Sequence, residues 1–73
     1  MFGTVIYFDD HRGDGSVLAD NGESYYFHCV EIADGSRFLN VGTRVAMTRR
    51  VGLLGRDEAA NLQSLDGSLE SRT

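Results

Sequence analysis

Short runs of apolar and aromatic residues alternate along the whole chain with clusters of glycine, aspartate, asparagine and serine. Runs of this kind between turn clusters predict β-strands. The first, residues 2–8 (F-G-T-V-I-Y-F), is rich in β-branched and aromatic side chains. A period of two puts Val5 and Tyr7 on one face and Thr4, Ile6 and Phe8 on the other. Large apolar groups thus fall on both faces, and Gly3 is a candidate bend or bulge. Asp9 to Asp14 reads as a polar loop, and Gly15-Ser16-Val17-Leu18-Ala19 as a short second strand. Asn21-Gly22 is a strong hairpin signal, so the second and third strands should pair antiparallel. The third, Tyr25-Tyr26-Phe27-His28-Cys29, is the densest aromatic run in the chain. Alternation points Tyr25, Phe27 and Cys29 one way and Tyr26 and His28 the other.

Val30-Glu31-Ile32 reads as a single helical turn, followed by a loop through Asp34-Gly35-Ser36-Arg37. Val41-Gly42-Thr43 turns into a fourth strand, residues 44–50, in which Val45 and Met47 share a face. Gly52-Leu53-Leu54-Gly55 is a glycine-bracketed turn, and residues 56–63 form a fifth strand with Ala60 and Leu62 on one face. From Leu65 the chain is polar and non-periodic, which predicts a disordered tail over residues 65–73 after a folded unit over 1–64. Five short strands with regular turns predict an all-β fold, a small closed barrel of antiparallel strands. Closure removes sheet edges that a chain this small could not otherwise cover.

Length and composition narrow the picture. At 73 residues there is room for one domain and one small core. The single cysteine excludes an intramolecular disulfide and favours a reducing compartment. No apolar run approaches ~20 residues and the N-terminus lacks a basic-then-apolar pattern, so a cytoplasmic protein with no membrane partner is expected. The net charge of −4 argues against the simplest nucleic-acid reading, which expects a basic domain. Yet all seven basic residues are arginine, whose planar fork suits phosphate contact and base stacking. A GC-rich genome would produce the same bias.

Several segments, in order, resemble the bacterial cold-shock domain, a five-stranded barrel of the oligonucleotide-binding (OB) type. Gly3-Thr4-Val5-Ile6-Tyr7-Phe8-Asp9 stands in register with that family's opening G-K-V-K-W-F-N. Arg12-Gly13-Asp14-Gly15-Ser16-Val17 matches its first ribonucleoprotein motif, K-G-F-G-F-I, and Tyr25-Tyr26-Phe27-His28-Cys29 its second, V-F-V-H-F. Asp34 to Val45 follows D-G-F-R-T-L-x-x-G-x-x-V, and Ala59-Ala60-Asn61-Leu62 the closing A-A-N-V. The resemblance implies that a single strand would lie across the second and third strands, its bases stacked on exposed aromatics. Stacking of this kind is sequence-tolerant and worth ~1–3 kcal/mol per base. On those positions Tyr7, Tyr26 and His28 retain ring systems. Asp14, Ser16, Cys29 and Ser36 replace aromatics, with Phe38 two residues on as a partial substitute for the last. Arg12 and Arg37 stand where the family carries basic residues.

Each of these residues also has a plainer reading. Tyr26 and His28 could be ordinary residues of a wet sheet face, and Arg12 a local partner of Asp9, Asp10 or Asp14. Arg44, Arg49 and Arg50 read as a solvated strand face. The run Asp9-Asp10-His11-Arg12-Gly13-Asp14 lacks the ligand spacing and closing glutamate of a calcium loop. Zinc or nucleophile chemistry at His28 and Cys29 fails because neighbours in one strand face opposite ways. No metal, cofactor or catalytic constellation is therefore expected. The expectation is a non-enzymatic barrel, monomeric or weakly dimeric, that binds single-stranded RNA or DNA weakly through Tyr7, Arg12, Tyr26, His28, Arg37 and Phe38. The alternative is a barrel that has lost nucleic-acid binding and presents this face to a protein partner.

Overall fold

The structure, a computed structural model, describes residues 1–33, 35, 38–52 and 55–65. Five strands, β1 (Phe2–Asp9), β2 (Asp14–Ala19), β3 (Ser24–His28), β4 (Arg44–Val51) and β5 (Asp57–Ser64), close into a barrel in the order β1-β2-β3-β5-β4. The chain thus forms the all-β, closed five-stranded barrel that its strand pattern predicts, the architecture that the resemblance implies as OB-type. The β1–β2, β2–β3, β1–β4 and β4–β5 pairings are antiparallel. β3 meets β5 in parallel, through Tyr26 and Glu58, which departs from an all-antiparallel barrel. The reason is connectivity: β3 and β5 are separated by β4, and a chain that has reversed twice runs in its first direction again.

Local chemistry sets the turns. Between β2 and β3 the Asn21 side-chain oxygen accepts the Glu23 N–H at 2.8 Å. Gly22 sits there at φ 92°, a left-handed conformation that costs glycine little. Between β1 and β2 the Asp9 carboxylate accepts the N–H groups of His11 and Arg12 at 3.0 and 3.2 Å, an Asx-type turn. Asp14 lies beyond that turn and opens β2 rather than closing the loop. At the other end of the hairpin β3 stops at His28, and Cys29–Glu31 form a 3₁₀ turn one residue earlier than expected.

β-Bulges interrupt β1 and β5. In β1 the register passes from Val5 opposite Val17 to Tyr7 opposite Ser16, leaving Ile6 as the extra residue. Ile6 and Tyr7 both face outward, at 47% and 52% exposure, and Phe8 turns back toward the core. Tyr7 therefore does not share the inward face of Val5, because the bulge resets the alternation. The bulge sits at Ile6 and not at Gly3, which pairs regularly with Ala19 and Val45. In β5, Asn61 and Leu62 together oppose Met47, and Asn61 takes up φ 53°.

Val5, Val17, Tyr25, Phe27, Val45, Met47 and Leu62 are among the residues that fill the barrel. Tyr25 shares the inward face with Phe27, and Val45 with Met47, the pairs that alternation predicts. Leu62 shares it with Ala59 and not with Ala60, which lies opposite exposed Thr48, because the Asn61 bulge resets the alternation. Phe27 is fully buried and stacks against Phe8, ring centroids 6.0 Å apart. Gly15 pairs with both phenylalanines, and a Cβ there would collide with the Tyr7 carbonyl oxygen and stand 3.0 Å from the Phe27 ring. A core so filled fixes which residues of β1, β2 and β3 face outward. Of the expected tail, Leu65 still donates its N–H to the Arg44 carbonyl at 2.9 Å, and residues 66–73 lie outside the described residues. Among the described residues no helix is long and apolar enough to cross a membrane.

Candidate functional site

The outer face of β1, β2 and β3 carries the candidate site. Tyr7 of β1 pairs with Ser16 of β2, and Ser16 pairs with Tyr26 of β3, so the three form one lateral row. Strands lie about 4.8 Å apart, which roots the two tyrosines roughly 10 Å from each other with a small serine between them. One step along, Asp14 pairs with His28. The imidazole of His28 meets the Tyr26 ring edge-on, centroids 5.0 Å apart at 85°. The Ile6 bulge brings Tyr7 into this row, since unbroken alternation would have turned it inward.

Asp14 lies under this face. It is the buried acidic residue of the described chain, at 4% exposure. The Tyr26 hydroxyl donates to its carboxylate at 2.6 Å. Arg12 donates from Nε and Nη2, the shortest of these bonds being 3.0 Å. The Arg12 bonds first, and the Tyr26 hydroxyl second, hold the Asp14 carboxyl below the ordinary carboxylate range despite desolvation. The same contact with Asp14 raises the Tyr26 phenol and the Arg12 guanidinium. Hydrogen bonds to the ionised carboxylate favour that form, and its negative charge disfavours a tyrosinate beside it.

This geometry changes the expectation for two residues. Asp14, which replaces an aromatic of the first motif, is covered rather than open on the face, because Tyr26 and Arg12 close over it. Arg12 takes its plainer role as the partner of Asp14, with its side chain still 67% exposed beside Tyr26. Phe38 is 46% exposed and sits edge-on against Phe8, centroids 5.3 Å apart, next to the core rather than in the tyrosine row. Arg37, along with Asp34 and Ser36, lies outside the described residues, as do Leu53 and Leu54 of the β4–β5 turn. Cys29 packs partly buried against the core while His28 is exposed, so the two do diverge. The divergence comes from the strand ending between them.

Beyond Tyr26, an open groove of about 630 Å³ runs from β2 and β3 to the start of β5. Arg12, Ser16, Ser24, Tyr26, Arg56 and Glu58 line it. Ser24 and Glu58 are not evident from motif matching. Ser24 could have been found by counting outward from the Asn21-Gly22 turn, which pairs Leu18 with Ser24. Glu58 could not, because its contact with Tyr26 depends on barrel closure. The arginines read as a solvated face are ion-paired: Arg44 with Asp20 at 2.9 Å, Arg49 with Asp57 at 3.7 Å, and Arg50 with Glu31 at 2.9 Å. No family model matches the sequence, and no curated protein matches it.

Proposed function

We propose that this chain binds single-stranded RNA or DNA weakly, laying the strand across the outer face of β1–β3 in the manner of a cold-shock domain. The observation that carries this reading is the row Tyr7–Ser16–Tyr26 with His28 edge-on to Tyr26. Every base has a π-face, so accessible rings in a row, Tyr26 half-buried and Tyr7 and His28 exposed, stack bases without reading their sequence. Bases held this way cannot pair within their own strand, and the protein hinders intramolecular pairing without performing chemistry. The fold supports the reading, since OB-type barrels commonly present this sheet face to oligonucleotides. A second reading, a face for a protein partner, draws on Ile6 and Leu18, exposed beside the tyrosine row at 47% and 42%.

The test is a titration of a labelled pyrimidine-rich single strand at low and at moderate salt. Binding is expected with dissociation constants on the order of tens of micromolar, as for sequence-independent binding generally. Tyr26→Ala and His28→Ala should each weaken it by about 1–3 kcal/mol. No binding even at low salt sinks the nucleic-acid reading and leaves the protein-partner one.

A further inference from the structure

Three of the side chains assigned to the binding face converge on one buried group that has no ring and cannot stack. Tyr26 and Arg12 bond the Asp14 carboxylate directly, and His28 is its cross-strand pair. We propose that Asp14 is the positioning residue of this face, holding Tyr26 by its hydroxyl and drawing the Arg12 charge inward onto itself. The inference rests on the nucleic-acid reading and adds how the strand is held: by its bases, with the nearest arginine withheld from phosphate.

The tyrosine hydroxyl bond, at 2.6 Å to an ionised acceptor, is of the short, strong kind. It ties down the far end of a ring whose near end is fixed by the strand, leaving the ring one orientation and lowering the cost of ordering it on binding. Arg12 reaches the same oxygen from the β1–β2 turn, so its positive charge lies against a negative one. The pair is locally neutral. Counterion release on binding scales with the phosphates a protein neutralises, and a spent guanidinium neutralises none. The wider surface has the same character, for Arg44, Arg49 and Arg50 also lie against carboxylates.

The experiment measures the slope of log affinity against log salt concentration for the full chain and an oligothymidine strand. Asp14→Asn keeps a side-chain oxygen to accept from Tyr26 but frees Arg12. One added phosphate contact steepens the slope by about 0.7 for a single strand. The double variant Asp14→Asn/Arg12→Gln, with the wild-type net charge, should return to the wild-type slope. Glu23→Gln, at the far end of the β2–β3 hairpin, changes net charge equally and should leave the slope unchanged. A slope unaltered in Asp14→Asn, or a steep slope that persists in the double variant, overturns the inference while the nucleic-acid reading stands. Absence of binding by the wild-type chain overturns both. Tyr26→Phe tests the same positioning without touching the buried carboxylate, in case Asp14→Asn does not fold. It should lose affinity several-fold at an unchanged slope, and an affinity equal to wild type contradicts the role.

Discussion

At Asp14 a carboxylate takes an outward position on β2 and is nonetheless covered, because a tyrosine from β3 and an arginine from the preceding turn close over it. Its lowered native pKa links its ionisation to stability. An unfolded carboxyl titrates near 4, and the native one, bonded first by Arg12 and then by Tyr26, titrates lower. As pH falls below about 4 the unfolded chain takes up the proton before the native chain does, so stability is lost. Asp14→Asn is therefore predicted to lower the urea midpoint at neutral pH, with the gap to wild type closing as pH drops through that range. A gap of constant size across the acid range contradicts it. That Tyr25 and Phe27 share one face was legible in the sequence, since alternation in an unbroken strand decides it, whereas which face turns inward was not set by alternation. The burial of Asp14 was not, for it depends on a partner across the sheet and another from a turn.

Among the elements, the hairpins were the legible part. Asn21-Gly22 sets the β2–β3 register, and with it the pairing of Ser16 with Tyr26. The bulges were not legible, because an inserted residue is defined only against the partner strand. Tyr7 shows the consequence: strict alternation pairs it with Val5, and the extra residue at Ile6 turns it to the opposite side. In β5 the bulge residue Asn61 sits at φ 53°, where a β-branched side chain is strained and asparagine or glycine is tolerated. Its N–H also donates to Glu31 at 3.3 Å, tying the 3₁₀ turn to β5. Asn61→Val should destabilise the barrel by about 1–2 kcal/mol, the cost of the left-handed conformation for an ordinary residue. Asn61→Gly should stay within about 1 kcal/mol of wild type. Urea unfolding of the two variants checks this, and equal midpoints would show that the bulge is not the constraint.

For the whole molecule, the net charge of −4 and the paired arginines point the same way. The pairs exposed on both sides, Arg44–Asp20 and Arg49–Asp57, add little to stability. Their consequence is for the proposed binding: cations engaged with the protein's own carboxylates would leave stacking as its main source of affinity. Barrel closure was readable from five short strands and their spacing, whereas the parallel β3–β5 contact that completes it came from connectivity alone. The claim that the outer face of β1–β3 holds a single strand is tested most directly by following backbone and aromatic NMR signals while an oligothymidine strand is added. The account predicts that shifts concentrate at Tyr7, Ser16, Tyr26 and His28, with Val30 and Val51 at other exposed positions unchanged. Shifts spread evenly over the barrel, or centred on β4, would contradict it.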